Sequence, residues 1–293
     1  MTARLATAAG LAIWLLAVAG HAQQAVFRSQ IEWVRVDVAV NRGGKPVAGL
    51  GPEDFDLRDN AVRQTVQRVL VEKVPIDVML VLDASTSVVG RRLEHLQEAA
   101  TRLLAGLRPG DRAGLITFTQ RVTREQPLTT DLKAVAAGVE RIKGLGSTAL
   151  HDAIFAGLLQ PPAADRRTVL VLFSDGLDNM SWLSSKQLLE TAKRSSAIVY
   201  AVAETNPSTP TQTIGVARAL LEGLTGDTGG RVWWVPDPDQ FREAFTQILQ
   251  DITTRYVLLY QPEGVSDDGW HTLTVKLTRA RGDVTARPGY FRK

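Results

Sequence analysis

Between Ile76 and about Arg255, short apolar runs rich in β-branched residues alternate with stretches whose apolar residues recur at helical spacing. The runs are "IDVMLVLD" (76–83), "RAGLITFT" (112–119), "RTVLVLFSD" (167–175), "AIVYAVAE" (197–204) and "RVWWV" (231–235). Near-continuous apolarity of this kind marks strands buried on both faces, which requires helices on either side of a sheet. In "RRLEHLQEAATRLLAGL", Leu93, Leu96, Ala100, Leu103, Leu104 and Leu107 form one helical stripe that Pro109-Gly110 ends. A second stripe, Phe241, Ala244, Phe245, Ile248, Leu249 and Ile252, runs through "DPDQFREAFTQILQDI". There Asp237 is the expected N-cap, Pro238 the first helical residue and Gln240 the partner in a capping box. The alternation predicts an α/β fold with a doubly wound, mostly parallel sheet. "RVTREQPL" (121–128) follows its predecessor too closely for a crossover and is expected to be an antiparallel edge strand.

The flanks obey a different period. Residues 29–72 alternate apolar and polar, as in "WVRVDVAV", with turn signals at "NRGGKP" and "RDN". Residues 255–291 do the same in "RYVLLYQ", "WHTLTVKL" and "VTARPGYF". Each flank alone is short for a stable fold, so the two are expected to pair as one β-sandwich-like unit with the α/β domain inserted. At the N-terminus, Arg4 is the only charge before Arg28, and "LATAAGLAIWLLAVAG" leads to small residues around His21. That order reads as a secretory signal peptide, with an uncleaved membrane anchor as the alternative. The expected organisation is a signal at 1–22, a β-rich segment at 23–73, the α/β domain at 74–254 and a second β-rich segment at 255–293. Cleavage would leave no membrane insertion and place the protein in the periplasm, at the cell surface or in the medium.

Composition narrows the chemistry. Of 293 residues, 44% are hydrophobic and 22% charged, which are globular values. The net charge of +3 comes from scattered Lys and Arg, so nucleic acid is not an expected partner. No cysteine is present, which removes disulfides, thiol catalysis and thiolate-bound zinc.

Ligands in an open parallel sheet bind beyond the carboxyl ends of the strands. Strand 76–83 delivers Asp83, Ser85 and Ser87 of "DASTS" to that edge, and strand 167–175 delivers Asp175 of "SDGLDN". The loop "GLGSTALHD" brings Ser147, Thr148 and Asp152 to the same neighbourhood. Few acids and several hydroxyls make an oxygen-only environment, suited to Mg²⁺, Mn²⁺ or Ca²⁺. With two acids in the obvious set, water or a partner's carboxylate must complete the coordination. Met180, Trp182 and the loop "TNPSTPTQT" (205–213) follow strands on this edge and are candidates for its rim. Trp182 is expected to pack against the helix it starts, His151 to lie on the surface at a helix start, and Trp233 and Trp234 to pack under helices.

Taken together, "DASTS", "GSTAL" and "LVLFSDGLDN" resemble the von Willebrand factor A (VWFA) domain, over about residues 74–254. The resemblance implies a Rossmann-like sheet and a metal-ion-dependent adhesion site (MIDAS) at Asp83, Ser85, Ser87, Thr148 and Asp175. It implies that both serines and Thr148 touch a divalent cation, Mg²⁺ first, and that the acids act directly or through water. Many relatives carry Gly where this chain has Ser147, so the ligating hydroxyl in that loop stays open. The flanks "VDVAVNRGGKPVAGLGPEDFDLRDN" and "TVKLTRARGDVTARPGYF" resemble the acidobacterial-type VWFA-related secreted proteins. The implied role is non-enzymatic: a cation that grips an acidic side chain of a protein partner. In relatives, ligation can shift the last helix of the domain, here 237–254, which leads straight into strand 255–262. Two other readings compete. In a haloacid-dehalogenase-like Mg²⁺-dependent phosphatase, Asp83 would be the nucleophile, Asp175 and Asp178 the downstream acids and Lys143 the cation. Ser85 then stands where that chemistry needs an acid. The other is a structural VWFA module whose metal site stays empty.

Overall fold

The first strands of the chain carry period-two patterns and pair accordingly. The structure is a computed structural model and describes residues 33–292, except 72, 73, 162, 164, 205–209 and 267. The signal-peptide expectation and the first part of "TNPSTPTQT" lie outside the described residues. The elements below belong to one compact unit, Glu32–Lys293. It opens with β1 (Val34–Arg42), β2 (Lys45–Pro46), β3 (Phe55–Asp59), β4 (Val62–Gln64) and β5 (Arg68–Leu70). The α/β region runs β6 (Ile76–Asp83), α1 (Arg91–Ala105), β7 (Arg112–Phe118), β8 (Val122–Thr129), α2 (Leu132–Glu140) and α3 (Leu150–Leu158). It continues with β9 (Arg167–Ser174), α4 (Ser185–Arg194), β10 (Ile198–Glu204), α5 (Thr211–Thr228), β11 (Val232–Val235) and α6 (Phe241–Thr253). The chain closes with β12 (Tyr256–Tyr260), β13 (Gly269–Leu277), β14 (Asp283–Ala286) and β15 (Gly289–Arg292).

The central sheet has the order β11-β10-β9-β6-β7-β8. Its strands are parallel except β8, which pairs antiparallel with β7 at the edge. Every residue of β6 is buried. Alternation sends Val78, Leu80 and Leu82 toward α1 and α6, and Met79 and Val81 toward α3, α4 and α5. Each such side chain contributes about 1.5–3 kcal/mol by leaving water. The edge strand β8 has no buried residue and is mostly polar, with Arg124, Glu125 and Pro127 discouraging further strand pairing. From β6 the chain turns first to β7 and later returns on the other side as β9. The carboxyl ends of β6 and β9 are therefore the switch point where an open α/β sheet forms its crevice.

Two smaller sheets flank this layer. One has the order β14-β1-β12-β5, with β2 on β1; the other has the order β15-β13-β3-β4. Each combines strands from before and after the α/β region, as in β1 with β12 and β3 with β13. Their inward faces share a core of Val36, Val38, Phe55, Leu57, Tyr256, Leu258 and Leu273. Beneath it, Asp59 accepts hydrogen bonds from the hydroxyls of Tyr260 (2.7 Å) and Tyr290 (3.0 Å) and lies 2.8 Å from His271 Nδ1.

The entry to α6 differs from expectation. A 3₁₀ turn, Pro238–Gln240, precedes the α-helix, and Asp237 caps it by accepting from the backbone N–H of Asp239 at 3.0 Å. Gln240 supplies no reciprocal bond, because the tighter 3₁₀ geometry brings the N2 amide to the cap ahead of N3. A true capping box forms instead at α4, between Ser184 and Gln187. At the far end of α6, the fully buried Arg255 donates to Tyr200 Oη (2.6 Å), Asp251 (3.4 Å) and the carbonyls of Asp37, Gly229 and Thr285. Asp251 also accepts from Asn41 Nδ2 at 2.9 Å. One guanidinium thus joins α6, β10, β1 and β14.

Candidate metal centre

Asp83 ends β6 at the switch point, and pairing of Leu82 with Phe173 sets it beside Ser174. Its carboxylate is fully buried. Oδ1 accepts from the backbone N–H of Ser85 (2.8 Å) and Oδ2 from the hydroxyl of Ser174 (3.0 Å). The same Ser174 hydroxyl accepts from Gly176 N–H at 3.1 Å, linking the two strand ends. Burial pushes the Asp83 carboxyl up to about 6; the nearby Asp175 charge adds to this, while bonds from Ser85 and Ser174 pull the other way. The hydroxyls of Ser85 and Ser87 lie 2.9 Å apart, so successive alternate residues of the loop turn their oxygens to one point.

The other two loops are tied to this one. Leu145 N–H donates to Ala84 O at 2.8 Å, and both the amide (3.2 Å) and hydroxyl (3.1 Å) of Thr86 donate to Gly146 O. Gly146 has φ +81° and touches Gln120, so a side chain there would both strain and clash. Thr148 is buried; its N–H donates to Asn179 Oδ1 at 2.9 Å and its carbonyl accepts from Asn179 and Met180. Asp175, half-buried, accepts from Leu177 N–H at 3.0 Å. Asp83, Ser85, Ser87, Thr148 and Asp175 therefore sit on three loops that are hydrogen-bonded to one another. Ser147 is half-exposed beside Thr148, with its N–H on Gln120 Oε1 at 3.3 Å.

Two residues expected nearby serve the scaffold. Asp152 accepts from the N–H groups of Trp182 (3.0 Å) and Leu183 (3.1 Å). Asp178 accepts from Met180, Ser181 and His151 amides; burial raises its carboxyl, but the Ser181 hydroxyl and the His151 and Ser181 amides hold it below the usual range. Bound to three backbone donors, Asp178 is poorly placed to act as the acid a phosphatase needs. His151 is largely buried, not a surface residue: its Nδ1 lies 2.8 Å from Leu183 O. Trp182 corrects the expectation most sharply. It is 97% exposed and lies two residues before the Ser184 cap, outside the helix it was expected to pack against.

Residues 78–177 match the family model for the von Willebrand factor type A domain. Over that third of the chain the sequence is similar to von Willebrand factor A domains. Among curated proteins, an uncharacterized Synechocystis protein is 24% identical over 186 residues, 61% of this chain and 42% of its own length. Bovine inter-alpha-trypsin inhibitor heavy chain H1 is 23% identical over 218 residues, 67% of this chain and 23% of its own. The matched stretch is thus under half of either relative. Among solved structures, a von Willebrand factor type A protein from Catenulispora acidiphila aligns over 89% of this chain and 72% of its own, with TM-score 0.52 and 12% identity. Proximal thread matrix protein 1 from the mussel byssus, solved with its MIDAS motif occupied by zinc, aligns over 65% of this chain and 48% of its own, with TM-score 0.54 and 14% identity. These likenesses establish the Rossmann-like A-domain fold.

The donor set of this site fits a hard cation. Asp83 and Asp175 repel each other, and neither forms an ion pair among the described residues. Positive charge at the paired hydroxyls would relieve that repulsion. Among the described residues no group of three or more His, Asp or Glu side chains gathers as an all-charged cage, so any cation here relies on hydroxyls. Sequence reasoning missed two members of the neighbourhood. Ser174 precedes Asp175 and bridges the strands. Glu204, buried at the carboxyl end of β10, pairs with Arg92 (2.7 Å), which also donates to Ser87 O (3.0 Å). Burial raises the Glu204 carboxyl, Arg92 lowers it, and Asp175 and Asp237 raise it further. An acid closing an apolar run at the ligand edge was the available signal, the same one that marked Asp83.

Proposed function

We propose that this protein is an exported, divalent-cation-dependent module that binds a protein partner through an acidic side chain. The observation that carries the reading is the Ser85–Ser87 hydroxyl pair beside buried Asp83, on a loop bonded to those bearing Thr148 and Asp175. Ser85, Ser87 and Thr148 would hold the cation, with Asp83 and Asp175 acting directly or through water. Neutral hydroxyls and few carboxylates leave the ion net positive, so a carboxylate from outside is its natural further ligand. The same deficit makes affinity for the bare ion modest, on the order of 0.1–1 mM. Mg²⁺ is the first choice, with Mn²⁺ or Ca²⁺ as substitutes; the zinc-occupied MIDAS of the mussel protein makes Zn²⁺ a needed comparison. Residues 74–254 form the A domain in this reading, 23–73 and 255–293 form its β-rich companion, and 1–22 are the export signal. The flanking motifs support placement in the acidobacterial-type VWFA-related secreted family. Among the described residues no helix is long and apolar enough to cross a membrane.

Water-proton relaxation with Mn²⁺ tests both halves of the proposal. The protein should enhance relaxation by Mn²⁺, a short acidic peptide should reduce the enhancement by displacing bound water, and Asp175→Ala should abolish both effects. Enhancement that acidic peptides leave unchanged would contradict carboxylate capture.

A further inference from the structure

The surface around this site has two unlike sides. Ten large apolar side chains are exposed among the described residues, and five of them, Val89, Leu145, Met180, Trp182 and Val216, lie on loops or helix starts at the carboxyl edge of the central sheet. On the β9–β10 side, a groove of about 740 Å³ runs between α4 and α5 from Gly176 and Leu177 past Leu189, Val216 and Leu220. It begins at the residue after Asp175. Met180 and Trp182 stand on the adjoining segment, and their backbone is pinned by Asp152 and Asp178. An aromatic ring exposed in full on a hydrogen-bonded loop costs little entropy to bury, which is the character of a binding anchor.

On the β7 side the surface is basic. A cavity of about 320 Å³ adjoins Ala84 and is lined by Arg121, Arg141 and Lys143 against a single acid, Glu125. Glu125 is engaged by the hydroxyl of Thr117 at 2.8 Å. None of the three basic side chains makes an ion pair or side-chain hydrogen bond among the described residues.

We propose that the partner is an extended protein segment read in two directions from the cation-bound carboxylate. On one side a bulky apolar residue enters the α4–α5 groove beside the segment that carries Met180 and Trp182; on the other, further acidic residues meet Arg121, Arg141 and Lys143. The inference rests on the cation reading above but concerns side chains that hold no metal. Charge complementarity and the continuity of the groove with Asp175 favour this occupant over a second copy of the chain.

The test is a displayed nonapeptide library with a fixed central Asp and random flanks, selected on the full chain in Mg²⁺ and in EDTA. Selection in Mg²⁺ should enrich Phe, Trp, Leu or Met on one flank and Asp or Glu on the other. Trp182→Ser with Val216→Lys should lose the apolar preference, lowering affinity for the selected peptides about tenfold, equivalent to ~1.4 kcal/mol. The acidic preference should survive in that variant, which also shows that it is folded, and should vanish in Arg121→Glu with Lys143→Glu. Absence of enrichment, or the same flank profile on wild type and the Trp182 variant, overturns the inference. A two-sided profile that persists in EDTA and in Asp83→Ala upholds it while removing the cation from the reading.

Discussion

Single residues at the switch point are fixed by more than one demand. Gly176 adopts φ +80°, and a Cβ there would lie 2.8 Å from that of Ala217. Gly176→Ala should therefore destabilise the fold by about 1–3 kcal/mol, measured by urea unfolding, through backbone strain added to the contact with α5. At the opposite edge of the sheet, burial alone would raise Asp77, but hydrogen bonds and charge from Arg112 and Arg166 hold it below the usual carboxylate range. A carboxyl depressed on folding contributes stability that is complete above its unfolded value, about 3.9, and is lost as pH falls through the folded one. The Asp77 contribution, read as the difference in unfolding free energy between wild type and Asp77→Asn, should thus be constant near neutrality and shrink below about pH 4. Which residues reach the carboxyl edge could be read from sequence, since Asp83 and Asp175 close apolar runs. What Asp152, Asp178 and Trp182 do there could not: their roles follow from which backbone amides the folded loops leave facing them.

Among the elements, β6 and its neighbours were legible because burial on both faces writes a continuous apolar run, and β8 because its linker is too short to cross over. The start of α6 was not, since a proline-led 3₁₀ turn and a regular first turn share the same cap residues. Its far end holds the clearest energetic prediction. Arg255 is wholly buried, so Arg255→Ala takes from Asp251 its guanidinium partner and from three carbonyls the bond that Arg255 donates. The expected cost is about 3–5 kcal/mol by chemical denaturation. A loss under ~1 kcal/mol would show that the network contributes little to holding α6 against β1 and β14.

For the whole molecule, the central layer presents its switch point on one edge, while two mixed-origin sheets pack around their own core. The α/β class and the β-rich flanks were visible in the change of period from continuous runs to strict alternation. Strand order across the flanks was not, because pairing such as β1 with β12 joins residues more than two hundred positions apart in sequence. The central claim is that Asp83, Ser85, Ser87, Thr148 and Asp175 form one cation site. Calorimetric titration of Mg²⁺ into the full chain and into Asp83→Ala tests it most directly. Saturable binding at about one ion per chain, on the order of 0.1–1 mM, is expected in the wild type and none in the variant. Equal heats in both proteins, or none in either, would contradict it.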